Sequence, residues 1–339
     1  MTGAASTIQD DVILAAVINW NGWQDTLSCA QSLQAMDGPP FHLLLCDNGS
    51  TDGSYERLCA WASKVSVGSG GNTCELGAGA CVASFGRPAG PQGVLQCIHV
   101  MRLPRNLGYA GAINRCIEWG AQAIGPECYW LLNNDIWLDP AALGQLVEAV
   151  GSAPNIGLCG SVLLEWDPPH QVQAVGGRFD RWLAVGRHIK RLPAHAGPGP
   201  ALFFDIDYPV GASMLVTREF VRIVGLMDEG YFLYYEEVDW ALRGRACGFQ
   251  PAVALCSEVR HKEGASTGSM GGVRRKSMLS EYYGVVNRLR ITRKFTPWLL
   301  PLVWASLALV ALDRVAHGEW ARASLVLRLM LRPGSVPRP

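Results

Sequence analysis

The chain has 339 residues, 49% of them apolar, with 29 basic and 29 acidic side chains. That length accommodates one large α/β domain with additions, or two domains, and a formal charge of zero provides no net field to attract nucleic acid. The 11 cysteines form no CxxC pair, and several, such as Cys46 and Cys159, sit in apolar runs, which argues against a disulfide framework or a zinc site and for buried free thiols in a reducing compartment.

The polar start, Met1 to Asp11, has no basic segment before an apolar core, so no signal peptide is expected and the cytoplasm is the expected location. Asp11 to Ile18 is an apolar run of the kind that forms a central parallel strand. Asn19-Trp-Asn21-Gly22 ends it, and a helical pattern runs from Trp23 to Met36. A second strand, His42 to Cys46, ends in Asp47-Asn48-Gly49-Ser50-Thr51-Asp52, ahead of a helix from Tyr55 to about Ala62. Strand, polar loop and helix, twice over, begin a doubly wound sheet. The first turn lacks the GxGxxG of a dinucleotide fold. Residues 63–96 read as an irregular insertion.

Arg105-Asn106-Leu-Gly108 leads into a helix carrying Asn114, Cys116 and Trp119, with glycines that allow backbone to approach a ligand closely. Tyr129 to Leu132 is a buried strand ending in Asn133-Asn134-Asp135, the place where open α/β sheets put their ligands. Asp139 and Pro140 suit the N-cap and first turn of the next helix. Further strands follow at Ile156 to Leu164 and Tyr208 to Val216, the latter containing Gly211 and Ala212. Glu236-Glu237-Val-Asp239-Trp-Ala-Leu-Arg243 opens a helix, and a strand from Ala252 to Cys256 precedes His261. Asp239 and Arg243 are spaced as an i,i+4 ion pair. A basic strip from Arg260 to Lys294 suits a phosphate group, an anionic membrane surface or a solvated face. Pro297 to Leu312 is apolar but shorter than the ~20 residues needed to span a bilayer, so a buried or interfacial segment is expected.

In this order the motifs resemble those of family 2 glycosyltransferases of the GT-A fold, in particular the rhamnosyltransferase-like branch. The matching pieces are Asn19-Trp-Asn21, the Asp47 to Asp52 loop, Asn106 to Asn114, Asn133-Asn134-Asp135, Val210-Gly211-Ala212, Glu236 to Arg243 and His261-x-x-Gly-x-Ser266. They run from Val17 to about Ser266. The resemblance implies a GT-A catalytic domain over residues 1–270, a mixed sheet with helices on both faces, and a C-terminal helical segment, 271–339, that associates with the membrane.

It also implies roles. Asp135 and His261 would hold Mg2+ or Mn2+, with Asn133 at the first position of what is usually an Asp-x-Asp motif. Asp47 would meet the nucleoside base, unless it serves only an Asx turn as Asp52 does. Asn19, Asn21, Asn48, Arg105, Asn106, Gly108, Asn133 and Asn134 would line the nucleotide-sugar site. Asn114 would be either a donor contact or an exposed helix residue. Gly211 and Ala212 would face the acceptor. Inverting transfer needs one base, which maps onto Glu237, a glutamate where the family has aspartate, with Glu236 beside it to raise its pKa.

The implied activity is inverting, metal-dependent transfer of a sugar, with rhamnose as the analogy, from a nucleoside diphosphate sugar to a hydroxyl of a glycan or lipid-linked acceptor in cell-surface polysaccharide synthesis. The enzyme would sit peripherally on the inner face of the cell membrane, and a homo-oligomer is left open. A non-catalytic sugar or nucleotide-sugar binding protein on a degenerate GT-A scaffold is the alternative. A nucleotidyltransferase would need a Gly-rich phosphate loop after the first strand, where this chain has Asn19-Trp-Asn-Gly-Trp.

Overall fold

The computed structural model describes residues 12–67, 71–88, 94–193, 200–262 and 277–331. The chain opens with β1 (Ile13–Asn19), α1 (Trp23–Gln34), β2 (Phe41–Asp47) and α2 (Ser54–Val65). It continues through β3 (Asn72–Gly77), β4 (Ala80–Phe85), β5 (Leu95–Arg102), α3 (Gly108–Ala123), β6 (Cys128–Asn133), β7 (Ile136–Leu138) and α4 (Ala142–Gly151). Next come β8 (Leu158–Glu165), β9 (Val172–Ala174), β10 (Gly177–Asp180), β11 (Val185–His188), β12 (Leu202–Phe203), β13 (Ser213–Thr217) and α5 (Arg218–Val224). The described chain ends with α6 (Glu236–Ala246), β14 (Ala252–His261), α7 (Met278–Phe295), α8 (Leu300–Ala316) and α9 (Trp320–Leu331).

One mixed sheet runs in the order β12-β14-β8-β13-β6-β1-β2-β5-β4-β3. Its centre is parallel: β1 pairs with both β2 and β6. β1 is buried at every position, as expected of an unbroken apolar run covered on both faces. Alternate residues of β1 and β2 divide between two cores. Leu14, Ala16, Leu44 and Cys46 face α3, α6 and the C-terminal helices. Ile13, Ala15, Leu43 and Leu45 face α1, α2 and α4. β13 enters antiparallel between β6 and β8.

Three expectations are corrected. The described part of residues 63–96 is not irregular: it holds the β3–β4 hairpin, which extends the sheet antiparallel through β5. The hairpin escapes the sequence pattern because β3 is exposed at every position and so lacks apolar alternation. Asp139 is not the N-cap of α4, whose first residue is Ala142; its Oδ1 instead accepts from Ala141 N (2.9 Å) in the preceding turn. The helices of the C-terminal segment pack on the sheet domain. Tyr282, Tyr283 and Leu289 of α7 and Leu307 of α8 share one core with Leu14 and Ile113. Finally, the apolar tail is longer than read: a 3-10 turn at Pro297–Leu299 continues directly into α8, so 297–316 forms 20 residues long and apolar enough to cross a bilayer.

The thiols divide. Cys46 and Cys159 are buried, but Cys74, Cys247 and Cys256 are exposed.

Candidate active site

The sheet brings the polar strand ends together. β1 and β2 are in register with Asn19 opposite Asp47, and β1 and β6 with Ile18 opposite Asn133. The strand order reverses between β1 and β6, the position at which open α/β sheets bind ligands beyond the carboxyl ends. A cavity of about 1000 Å³ opens there. Its walls include Asn48, Asn106, Gly108, Asn133, Asn134, Asp135, Gly211, Ala212, Glu236, Glu237 and His261, so eleven of the sixteen residues singled out in the sequence meet in one place.

β14 delivers His261 beside β7, with His261 opposite Ile136. His261 Nε2 lies 3.4 Å from Asp135 Oδ1. The other ring nitrogen, Nδ1, is 2.8 Å from the amide oxygen of Gln173. An amide oxygen only accepts, so Nδ1 donates to it and the ring is held with Nε2 turned towards Asp135. A carboxylate oxygen and an imidazole nitrogen, oriented by a further hydrogen bond, form a donor set that fits a divalent cation. Gln173 was not anticipated; it sits on a three-residue strand whose sequence has no distinguishing pattern.

Glu236 and Glu237 begin α6, and the turn before them is strained. Tyr234 and Tyr235 both adopt positive φ, 68° and 73°, a region bulky residues avoid. Asn287 of α7 holds this turn by donating to Leu233 O (2.8 Å) and Tyr234 O (2.9 Å). Tyr235 donates to Ala184 O at 2.9 Å, and Tyr234 meets Ser280 Oγ at 3.1 Å. Strain held in place by so many partners is typical of functional sites.

The Oε2 atoms of both glutamates are buried without hydrogen-bond partners among the described residues. Burial, then the neighbouring Glu237, pushes the Glu236 carboxyl well above its ordinary range. Burial pushes Glu237 up to about 7. A carboxyl poised near neutrality in a cleft can exchange a proton at working pH.

Five anticipated contacts do not line the cavity. Asn19 is 0% exposed; its Nδ2 donates to Asp47 Oδ1 (2.9 Å) and Ser50 Oγ (3.1 Å), and its Oδ1 accepts from Thr26. Asp47 is enclosed by those bonds, and burial raises its pKa. Asn21 spends its amide oxygen on Thr51 N. Arg105 is exposed, and its backbone packs against Gly49, where a Cβ would lie 2.3 Å from Arg105 C. Asn114 is neither exposed nor a donor contact; it is 2% exposed and clamps Met227 through both amide atoms, with Nδ2 also reaching Glu229. These amides close loops whose backbone groups would otherwise lack partners. Gly108 does line the cavity, but its φ of +76° serves a close approach to Phe232, whose carbonyl oxygen a Cβ would meet at 2.4 Å.

Asn48 and Asn134 also work as braces. Asn48 bonds Asn106, Leu107 N and Gly108 O. Asn134 donates to Gly22 O and Thr26 Oγ1. The Asp239–Arg243 pair forms as expected at 2.7 Å, and Arg243 also caps Val224 O and Leu226 O. Within the described part of the basic strip, Lys262 pairs with Asp25, Arg290 with Asp228, and Lys294 with Asp228 and Asp239. Ser266 and the cations Arg274, Arg275 and Lys276 lie outside the described residues.

A mixed sheet with its cleft at the switch point makes up a GT-A-type fold, with the Asp135–His261 pair and the buried glutamate pair both lining the cleft. The comparisons agree. The "Glycosyl transferase family 2" model matches residues 93–191. The chain is 25% identical over 321 residues to the N-acetylglucosaminyl-diphospho-decaprenol L-rhamnosyltransferase of Mycobacterium tuberculosis, covering 89% of this chain and 88% of that one. It is 23% identical over 211 residues to the dTDP-rhamnosyl transferase RfbF of Shigella flexneri, covering 61% of this chain and 68% of the relative. Among solved structures, the mannosyltransferase PcManGT of Pyrobaculum calidifontis, in complex with GDP-Man and Mn2+, superposes with a TM-score of 0.55 over 96% of this chain and 88% of that one, at 12% identity, which speaks to the fold. By this family model and these relatives the chain is similar to family 2 glycosyltransferases, and among them to rhamnosyltransferases.

Proposed function

We propose that the protein is an inverting, divalent-metal-dependent glycosyltransferase. It moves a sugar, rhamnose by analogy with its relatives, from a nucleoside diphosphate donor to a hydroxyl of a lipid-linked glycan in cell-surface polysaccharide synthesis. The observation that carries the reading is the Glu236–Glu237 pair: each has a buried carboxyl oxygen without a partner among the described residues, and both residues line the cavity that Asp135 and His261 also line.

In this reading Asp135 and His261 hold Mg2+ or Mn2+, which when bound neutralises the leaving diphosphate. The acceptor hydroxyl gives its proton to Glu237 as its oxygen bonds to the anomeric carbon, and the bond to the donor phosphate oxygen breaks on the opposite side. One displacement needs one base and inverts the anomeric centre. Burial and the neighbouring Glu237 push the Glu236 carboxyl well above its ordinary range, which disfavours a second negative charge beside Glu237. Asn106, Asn133 and Asn134 frame the donor, with Gly211 and Ala212 on the acceptor side.

Peripheral attachment to the inner face of the membrane fits the C-terminal helices. Trp298, Leu309, Leu312, Trp320 and Leu331 are exposed, and Arg293 and Arg328 are exposed near them in sequence. Exposed apolar side chains flanked by cations suit a headgroup boundary. Although 297–316 has spanning length, Arg314 on its inner face is buried against Glu281 of α7 at 3.1 Å, which ties the helix to the catalytic domain.

The test is to incubate the protein with Mn2+ and a panel of nucleoside diphosphate sugars, with and without a lipid-linked glycan. Released nucleoside diphosphate, and a product whose anomeric configuration is opposite to the donor's, support the reading. In a parallel incubation with a nucleoside triphosphate and a sugar 1-phosphate, release of pyrophosphate would mark a nucleotidyltransferase, and donor binding without turnover would mark a binding protein.

A further inference from the structure

The catalytic cavity contains a cation that the transfer step does not use. Arg288, on α7, lines the wall together with Tyr235 and His188. Its Nε and Nη2 donate to Leu183 O (3.1 and 2.6 Å), and Nη2 also to Ser306 Oγ (2.7 Å). Among the described residues no carboxylate lies within 4.0 Å of it and the Nη1 donors have no partner. The neighbouring buried guanidinium behaves differently: Arg314 is matched by Glu281. Burial accordingly pulls Arg288 below its ordinary value, with partial relief from Tyr235 and Asp180.

A partly buried guanidinium without a counter-charge is costly, and one placed in a ligand cavity is poised for an anion brought by the ligand. Guanidinium suits phosphate through paired N–H donors. The donor diphosphate is already assigned to the wall built by β6 and β14, at Asp135 and His261, whereas Arg288 belongs to α7. The α7 and α8 wall carries four aliphatic side chains, Leu279, Val285, Leu307 and Val310, beside the mutually paired Glu281 and Arg314. An anion attached to an apolar chain satisfies both features.

We propose that Arg288 receives a phosphate group of the acceptor, an amphiphile whose apolar chain lies along Leu279, Val285, Leu307 and Val310. This rests on the glycosyltransferase reading and assigns the acceptor's anionic group to one residue. Arg288 thereby positions the acceptor hydroxyl relative to Glu237 and selects phosphate-bearing lipids over neutral ones.

The test measures binding of farnesyl diphosphate and of farnesol to the full-length protein, with and without saturating UDP or dTDP plus Mn2+. Wild type is expected to prefer the diphosphate by about tenfold or more, the scale of a charge-assisted pair, whether or not nucleotide is present. Arg288→Gln should lose that preference while its farnesol and nucleotide affinities stay unchanged. Arg288→Lys should lie between the two, because it keeps the charge without the fork. The proposal is overturned if wild type shows no preference for the diphosphate, if Arg288→Gln keeps it, or if the loss falls on the nucleotide instead, which would place Arg288 at the donor. Should Arg288→Gln fail to fold, Arg288→Lys decides by the presence or absence of the partial loss. Failure of wild type to bind either nucleotide would count against the glycosyltransferase reading itself, independently of the Arg288 arms.

Discussion

In the proposed reaction Glu237 is the residue on which the chemistry turns. Glu237→Gln keeps the shape but cannot accept a proton, so turnover should fall by ~10²-fold or more while nucleotide affinity stays unchanged. A stopped assay alongside nucleotide titration checks both, and loss of activity in Glu236→Gln instead would reassign the base. With the Glu237 carboxyl at about 7, wild-type activity should decline as pH falls below that value. The same shift has a stability consequence. The folded pKa is raised above the ordinary 4.5, so the favourable contribution is complete below 4.5 and is lost as pH rises through about 7. Glu237→Gln should therefore melt higher than wild type at pH 8, by the equivalent of about 1–3 kcal/mol, with the gap closing towards pH 5. Equal melting temperatures at both pH values would mean that the carboxyl is not perturbed. On the opposite wall, Asp135→Ala should abolish most activity and the response to added Mn2+ while leaving the fold intact. Full wild-type activity in excess chelator would remove the metal from the mechanism.

At the scale of elements, the site depends on the strained turn between Phe232 and Glu236, which α7 holds in place. Asn287 is fully buried and bonds two carbonyls of that turn. Asn287→Leu leaves those carbonyls unsatisfied, at a cost of about 1–3 kcal/mol each, and frees Tyr234 and Tyr235 to leave the left-handed region. The expected result is a folded protein of lower melting temperature with a larger loss in turnover than in nucleotide affinity. Were turnover unchanged, the turn would not set the position of Glu237. Nothing in the Asn287 neighbourhood of the sequence announces this role, since its partners lie more than 50 positions earlier in the chain.

At the scale of the molecule, the C-terminal helices close one side of the cavity and present an apolar outer surface. Leu307 and Ala311 of α8 point into the core, whereas Leu309 and Leu312 are 66% and 62% exposed. Replacing Leu309 and Leu312 together with aspartate should leave folding intact, because neither is in the core. The same change should abolish co-sedimentation with anionic vesicles if the outer surface meets the membrane. Retained sedimentation would move the membrane contact elsewhere, and a wild type that ignores vesicles would remove it.

The central sheet was legible in the sequence because parallel strands buried on both faces must be written as apolar runs, and β1, β2 and β6 are. The polar triplets that end those strands marked the cleft for the same reason: a strand end cannot be polar and buried unless something bonds it. What the sequence could not supply was which of these polar residues face a ligand and which face each other. Asn19 and Asn133 are the same residue type at the ends of adjacent parallel strands, yet only Asn133 reaches the cavity, while Asn19 is consumed by Asp47, Ser50 and Thr26. Gln173 and Asn287 were silent, and Arg288 was visible only as one cation of a basic strip, because their partners are distant in sequence and their roles exist only once β9 and α7 are packed. Local patterning sets the strands and their polar ends; the pairing of side chains across elements, which decides brace from binding group, is a property of the folded molecule alone.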